Sequence, residues 1–372
     1  MGGSEVKNKR WLVLLIALVM LISTACGNKT EQNSTDTSTD VKEQPKELTK
    51  VDGGIFIFGI GSDPKVMNPL FAGDRVTMTI NNAIFSPLFV IDSGEIRYYL
   101  AESVSASEDY LTYTLKLKEG LKWHDGQPIT AEDIVFTVNS ILDENQGSHL
   151  RSSFLVNGKP IEIKKVDDLT VEFILPEVSV PFMDSIASIR PIPKHVFEGE
   201  ANLAQSSKNL NPIGSGPFKF KEFKSGEKVE LERFDDYFDG KPNLEGVVFR
   251  VIADSNAANT ALLNGELSAR YITTDDIEKF TQNGNFNIEV FEEGMLNNMV
   301  FRLTNEALRN EDVRKAIAYA INKDEIVTGV YGDEEYAGKA YSVFVPTTLY
   351  YTTDVEKYDY NVEKAKELLK NA

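Results

Sequence analysis

The chain has 372 residues, 42% of them hydrophobic and 26% charged, so most of it has the composition of packed globular domains. Its formal net charge of −18 argues against nucleic acid as a partner, because phosphate binding needs clustered Lys and Arg. The single cysteine, Cys26, excludes a disulfide framework and a structural zinc site built from several cysteines. The histidines, His124, His149 and His195, are too widely spaced for a local metal-binding pair.

The first 25 residues have the pattern of a signal peptide. Cationic residues precede an apolar run over 11–22, which is shorter than a bilayer span. The small residues Ser23-Thr24-Ala25 then lead to Cys26 and resemble a bacterial lipobox, in which the cysteine is acylated and the chain is cut before it. We therefore expect a lipid on Cys26, the alternative being an ordinary signal peptide with a chance cysteine. Residues 27–50 are polar and predict a flexible tether.

In the rest of the chain, predicted strands and helices intermingle irregularly, which indicates a mixed α/β (α+β) fold. Alternating or continuous apolar runs predict strands over 53–58, 111–117, 161–166, 169–175, 218–223, 229–233 and 247–252. Helical spacing predicts helices over 77–85, 130–142, 256–263 and 312–321. No segment after the N-terminal run is apolar enough to span a membrane.

Three short motifs have local structural interpretations. Thr130, followed by acidic residues, is expected to cap a helix. Gly214 and Gly216 predict a sharp turn that needs either positive φ or a close backbone approach. In the run Trp123-His124-Asp125-Gly126, the glycine predicts a turn, and the histidine beside an aspartate predicts a structural hydrogen-bonded pair rather than acid–base chemistry.

Five blocks in order resemble the family-5 extracellular solute-binding proteins, which serve oligopeptide, dipeptide and nickel ABC importers. They are 100–136, which contains the run LKEGLKWHDG, then 211–220 (NPIGSGPFKF), 233–242 (RFDDYFDGKP), 261–267 (ALLNGEL) and 312–321 (DVRKAIAYAI). The resemblance covers residues 51–372. It implies a two-lobed, periplasmic-binding-protein-like fold of type II and the peptide-binding subclass, in which a ligand is enclosed between lobes joined by a hinge.

The resemblance also implies a division of the chain. Residues 51–85 and 206–303 are expected to form lobe I, residues 86–205 an extra domain beside it, and residues 304–372 the start of lobe II. Because family members usually run well past 500 residues, the chain is expected to be C-terminally truncated, with lobe II incomplete. On that expectation the chain exposes apolar surface, and tight peptide binding by the chain alone is not expected.

Five ligand-binding residues are carried over from the family. Asp63 matches an acidic cleft position in the loop after the first strand, and Tyr271 lies where the family's chain passes the cleft. Asn297, Asn298 and Phe301 lie on the segment that leads to the hinge. The alternative for each is a surface or core residue without ligand contact. No residue is assigned to the peptide N-terminus, no cofactor or metal is expected, and no catalytic residue is predicted.

The resemblance implies that the protein captures oligopeptides and delivers them to the permease subunits of an ABC importer. The expected location is the extracellular face of a cytoplasmic membrane, through the lipid on Cys26, or the periplasm in a Gram-negative cell. Alternatives are a binding protein for a dipeptide, a nickel chelate or a signalling peptide, and an adhesion lipoprotein without an enclosed cleft. A secreted hydrolase is disfavoured because Gly-x-Ser-x-Gly and His-Glu-x-x-His motifs are absent from the sequence.

Overall fold

The computed structural model describes residues 51–92, 94–291, 294–346 and 351–372, so the predicted signal peptide, Cys26 and the tether lie outside the described residues. The strands are β1 (Ile55–Ile60), β2 (Phe89–Asp92), β3 (Glu95–Tyr98), β4 (Ala101–Ala106), β5 (Thr112–Leu117), β6 (Leu155–Val156), β7 (Lys159–Pro160), β8 (Glu162–Lys165), β9 (Thr170–Ile174), β10 (Phe218–Lys224), β11 (Lys228–Arg233), β12 (Gly246–Val251) and β13 (Ala269–Arg270). The helices are α1 (Arg75–Ile84), α2 (Ala131–Leu142), α3 (Phe182–Ala187), α4 (Lys194–Phe197), α5 (Ser255–Leu263), α6 (Ile277–Asn283), α7 (Glu306–Arg309), α8 (Glu311–Ala320), α9 (Lys323–Tyr331) and α10 (Val362–Asn371). The predicted mixed α/β character is therefore confirmed.

One five-stranded sheet has the order β10-β11-β12-β1-β13. Strand β1 pairs in parallel with both β12 and β13, whereas β11 is antiparallel to its neighbours β10 and β12. Strand β10 departs from the uniform alternation expected over 218–223, because its register with β11 shifts between Phe220 and Glu222. Such a bulge inserts a residue that the periodicity alone does not reveal.

A second sheet is antiparallel throughout and has the order β4-β5-β9-β8. In β5, Tyr113, Leu115 and Leu117 are buried and alternate with more exposed residues, as the predicted half-buried strand requires. Strands β8 and β9 form the hairpin expected around Asp167 and Asp168. Two further hairpins join β2 to β3 and β6 to β7.

The two sheets share one hydrophobic core. Buried residues of the four-stranded sheet, such as Leu115 and Phe173, belong to the same cluster as Leu231 and Phe249 of the five-stranded sheet. Trp123 lies fully buried in this cluster. A smaller cluster, which contains Phe280, joins α5 and α6 to Ile57 of β1. The segment predicted as an extra domain is thus packed onto the five-stranded sheet through continuous apolar contact.

Helix α2 begins with the predicted cap. The Thr130 hydroxyl accepts a hydrogen bond from the Glu132 amide at 3.3 Å, and Asp133 Oδ2 accepts one from the Thr130 amide at 2.9 Å. This capping box satisfies backbone donors that the first turn leaves free. Asp133 also accepts the Lys194 amide at 2.9 Å, so the same carboxylate ties the start of α4 to α2.

Helices α7 to α10 bury few apolar side chains. Within the described part of residues 304–372, the buried apolar residues are Ala316, Val327 and Ala365, which are small or medium-sized. Larger ones such as Val330 and Leu369 are more than half exposed. None of the helices in the described ranges is long and apolar enough to cross a membrane.

We therefore expect the amides of α8, α9 and α10 to exchange with deuterium at least ~100-fold faster than those of β5 and β9, because local opening exposes little apolar surface there. Hydrogen exchange followed by mass spectrometry measures this directly. Equal protection across α8 and β5 would contradict the expectation and would indicate that the helices unfold only with the main core.

Candidate ligand-binding site

The parallel strands of the five-stranded sheet define one edge of the molecule. Strands β1, β12 and β13 run in the same direction, so Ile60, Val251 and Arg270 mark their carboxyl ends at a common edge. In open sheets that contain parallel strands, ligands bind in the crevice outside these carboxyl ends. Two of the predicted ligand-binding residues, Asp63 and Tyr271, follow β1 and β13 closely and therefore lie at this edge.

Asp63 is held in place by the turn between β10 and β11. Its Oδ2 accepts a hydrogen bond from the Ser225 hydroxyl at 2.6 Å, and its Oδ1 accepts one from the Gly226 amide at 2.9 Å. Gly226 has a φ of +75°, as the turn requires. Asp63 therefore has a structural role that the sequence did not predict. A carboxylate has about four lone-pair positions, so these bonds leave it able to accept a further donor from a ligand.

Tyr271 lies in an exposed aromatic cluster. Its side chain is 46% exposed, and its ring meets Phe58 edge-on, with ring centroids 5.4 Å apart. Phe291 adds a third ring, 6.5 Å from Tyr271, and is itself mainly exposed. Exposed aromatic rings that are held by neighbouring rings provide rigid apolar contact area for a ligand.

Arg75 completes this cluster and was not predicted from the sequence. Its guanidinium carbon lies 5.6 Å from the centroid of the Tyr271 ring, and its Nη2 contacts the sulfur of Met295. Arg75 is the first residue of α1, after the N-cap Asp74. A cation at the positive end of a helix dipole is unfavourable. The position of Arg75 at the start of α1 is therefore a sequence signal that could have indicated a contact of this side chain with another part of the molecule.

The three remaining predicted residues lie on the segment 294–303. Asn297 is exposed and donates a hydrogen bond to the Tyr331 hydroxyl of α9, so it bridges the segment to the helices that follow. Asn298 is exposed and Phe301 is half-buried. Met295 brings the start of this segment to Arg75. Ligand contact by Asn297, Asn298 and Phe301 stays a prediction.

The histidine predicted to pair with its neighbour Asp125 has other partners. His124 Nδ1 accepts the Gly214 amide at 3.2 Å, and Nε2 lies 3.0 Å from the Gly216 carbonyl, to which it donates. Burial lowers the pKa of His124 to about 4, so the ring is neutral at neutral pH. Asp125 instead contacts His195 Nε2 at 2.7 Å and caps its own turn through the Gln127 amide. The interpretation as structure rather than acid–base chemistry stands, but the expected pairing within the motif was wrong.

Potential metal ligands are dispersed in this structure. Across the described residues, no group of three or more His, Cys, Asp or Glu side chains is arranged to hold a metal ion.

Comparison with known proteins identifies the family. The model for bacterial extracellular solute-binding proteins, family 5 (middle), matches residues 95–372. The chain belongs to this family. The five sequence blocks that suggested the resemblance lie within the matched region, so the expectation drawn from them is confirmed.

Solved structures of the family have the same fold as this family member. The substrate-binding protein CtaP of an ABC transporter from Listeria monocytogenes is 48% identical, with a TM-score of 0.76 over 86% of this chain and 65% of that chain. AppA from Bacillus subtilis, solved in complex with a nonapeptide, is 30% identical, with a TM-score of 0.75 over 87% of this chain and 64% of that chain. The predicted periplasmic-binding-protein-like fold is thus confirmed.

The full sequence of the oligopeptide-binding protein AppA of Bacillus subtilis is 31% identical to this chain over 375 residues, covering 97% of this chain and 65% of the relative. The family member therefore spans slightly less than two thirds of the length of each of these relatives.

Proposed function

We propose that this chain is the substrate-binding part of an ABC importer, which captures extracellular oligopeptides between two lobes and delivers them to a membrane permease. The observation that carries the proposal is the common edge at the carboxyl ends of β1, β12 and β13, because Asp63 follows β1 there and the exposed Tyr271 cluster follows β13. The complex of AppA with a nonapeptide supports an oligopeptide as the ligand class.

The chemistry of the edge suits an extended peptide. The aromatic faces of Tyr271 and Phe291 provide sequence-tolerant apolar contact for side chains, while Asp63 and Arg75 provide one acceptor and one cationic donor. Main-chain hydrogen bonds give a peptide affinity that is independent of its sequence. Closure of a second lobe over the edge would then be a hinge motion that the ligand favours by binding the closed form more tightly.

The proposed division into lobes is supported by sheet membership. All strands of the five-stranded sheet come from residues 51–85 and 206–303, which are proposed as lobe I. All strands of the four-stranded sheet come from residues 86–205, which are proposed as the extra domain. Helices α7 to α10, in residues 304–372, are proposed as the start of lobe II.

The proposal includes a lipid anchor on Cys26 and a tether over residues 27–50. Together they would hold the folded body at the outer face of the cytoplasmic membrane, within reach of the permease. The description of the family as extracellular supports a site of action outside the cytoplasm.

The test is thermal unfolding of the purified protein with a mixed pool of short peptides. A ligand that binds only the folded state stabilises it by RT ln(1 + [L]/Kd), about 2.7 kcal/mol at a hundredfold excess over Kd. An upward shift of Tm with peptide would support the proposed function. We expect Tyr271→Ala to weaken peptide affinity by about fivefold, because one stacked aromatic ring contributes on the order of 1 kcal/mol.

The matched control is Tyr110→Ala, which removes a side chain that is 59% exposed at the turn between β4 and β5, away from the proposed edge. Its peptide affinity should equal that of the wild type. A cooperative transition that no peptide shifts would contradict the proposed function, and an unchanged affinity of Tyr271→Ala would remove Tyr271 from the site.

A further inference from the structure

The side chain of Arg270, the last residue of β13, is bonded both to the residue that follows it and to the start of α5. Its Nε donates to the Tyr271 carbonyl at 3.0 Å. Its Nη1 donates to the Ser255 carbonyl at 2.8 Å and to Asn259 Oδ1 at 2.9 Å, and its Nη2 donates to the Ser255 hydroxyl at 3.1 Å. A guanidinium has five N–H donors, so these four bonds leave it little capacity to bind a ligand.

These bonds lie where the sheet itself gives little support. Strand β13 has two residues, and their partners in β1 are Phe58 and Gly59. Tyr271 is the first residue beyond this short ladder and is 46% exposed. The bond from Arg270 to the Tyr271 carbonyl therefore fixes the direction of the chain at the point where it leaves the sheet.

Asn259 accepts its bond from Arg270 at a cost to stability. The residue is fully buried in α5, and its Nδ2 has no hydrogen-bond acceptor among the residues that the structure describes. A buried donor without a partner is unfavourable, and an apolar side chain at this position would avoid it but could not accept from Arg270. Positions at which a sequence gives up stability for a specific geometry are typical of functional sites.

The geometry that Arg270 holds is that of the Tyr271 ring. This ring meets Phe58 edge-on, with centroids 5.4 Å apart, and lies 6.5 Å from the Phe291 ring. Phe58 lies in β1 opposite Ala269, so a change in the direction of the chain after β13 would move the Tyr271 ring away from Phe58. A binding side chain keeps its productive position only when neighbouring groups hold it there.

We propose that Arg270 is a positioning residue of the peptide site, which acts through Tyr271 and does not itself contact the peptide. The inference rests on the proposed function for the role of Tyr271 in binding. Arg270 holds the Tyr271 backbone through Nε and is itself anchored to α5 through Nη1 and Nη2, so the ring is in place before a ligand arrives. Such preorganisation raises affinity because less order has to be imposed on binding.

The test replaces Arg270 by lysine. Lysine has a methylene where arginine has Nε, and its ammonium nitrogen stands at the position of the guanidinium carbon. Arg270→Lys therefore loses the bond to the Tyr271 carbonyl but keeps a cation that can reach Ser255. The matched control is Arg250→Lys, because Arg250 in β12 lies opposite the same residue of β1, Gly59, and pairs with Glu266 at 2.9 Å.

The affinity for a fluorescently labelled nonapeptide is measured for the wild type, Arg270→Lys, Tyr271→Ala and the double variant. We expect Arg270→Lys to weaken the affinity by about threefold, less than Tyr271→Ala does, because the ring remains but is less well held. In the Tyr271→Ala background it should have no further effect, whereas a general loss of structure would weaken binding in both backgrounds. Arg250→Lys should bind as the wild type does. An unchanged affinity of Arg270→Lys or of Tyr271→Ala would overturn the inference, as would additive losses in the double variant.

Hydrogen exchange of the peptide-free protein separates this inference from the proposed function. The amides of residues 271–276 should exchange at least about threefold faster in Arg270→Lys than in the wild type or Arg250→Lys, because the chain after β13 is less restrained. Equal exchange in the three proteins would overturn the inference even if the wild type binds peptide. A wild type that binds no peptide, with faster exchange in Arg270→Lys, would contradict the proposed function and still support the positioning of Tyr271 by Arg270.

Discussion

Replacement of Gly214 by alanine is expected to lower the free energy of unfolding by at least about 4 kcal/mol, which is exceptional for a single substitution. A Cβ atom at this position would lie 2.0 Å from the Ile84 carbonyl oxygen and 2.7 Å from Ile84 Cγ2. Gly214 does not have positive φ, so the conflict is one of space and not of backbone conformation. A backbone oxygen cannot turn aside as a flexible side chain would.

The contact is tight because one carbonyl at the end of α1 receives two donors. The Ser215 and Gly216 amides both bond to the Ile84 oxygen, at 3.0 and 2.7 Å. Gly216 has the same constraint, since its Cβ would lie 2.5 Å from the Ala83 oxygen. Any shift that relieves a Cβ at Gly214 therefore breaks bonds that hold α1 to the start of β10.

Urea unfolding of Gly214→Ala and Gly61→Ala measures the effect. Gly61 lacks positive φ, and a Cβ there meets nothing within 4 Å, so its alanine variant should match or slightly exceed the wild type in stability. If Gly214→Ala and Gly61→Ala unfold at the same midpoint with the same slope, the close approach of the two backbones is not a constraint in solution.

Local patterns predicted local structure well. The Thr130 cap, the alternating strand β5 and the β8–β9 hairpin each depend on residues within a few positions of one another, so composition and spacing are sufficient. The prediction of a close approach at Gly214 and Gly216 succeeded for the same reason, because two glycines around a serine are typical of a backbone that leaves no room for a Cβ.

Pairings between residues far apart in the chain could not be predicted from the sequence. Strand β13 has two residues and pairs with β1 only because the chain returns there after α5, so no periodicity predicts it. Asp125 pairs with His195, seventy positions away, whereas the sequence analysis expected it to pair with the neighbouring His124. For the site, Asp63 and Tyr271 came from resemblance. Arg75 and Met295 join Tyr271 through tertiary contacts, and the position of Arg75 at the start of α1 was the one local signal for them.

The stability of the folded protein is expected to fall by about 3 kcal/mol through His124 alone as the pH drops from about 6.5 to about 4. The pKa of His124 is lowered from 6.5 to about 4, mainly because burial disfavours the charged ring. Between these values the unfolded chain binds a proton that the folded protein does not, so stability decreases as pH falls. The contribution is fully present above pH 6.5, and about 2.5 pKa units correspond to roughly 3 kcal/mol.

The neutral ring is also what the contacts require. Nδ1 must remain an acceptor for the Gly214 amide while Nε2 donates to the Gly216 carbonyl, and protonation of Nδ1 would set two donors against each other. Acidification should therefore weaken the same turn that Gly214 permits, and it should loosen the connection between the 121–129 loop and the start of β10.

Comparing the wild type with His124→Gln isolates this effect, because the carboxylates that titrate in the same range are common to both proteins. Glutamine keeps a donor for the Gly216 carbonyl but does not titrate. The difference in unfolding free energy between the two proteins should be constant above pH 6.5. Between pH 6.5 and pH 4 the wild type should lose about 3 kcal/mol of stability relative to His124→Gln. His149→Gln, which makes the same substitution at an exposed position, is the control. A difference in unfolding free energy between wild type and His124→Gln that stays constant from pH 7 to pH 4 would contradict this prediction. It would mean that the His124 ring is protonated as readily in the folded protein as in the unfolded chain.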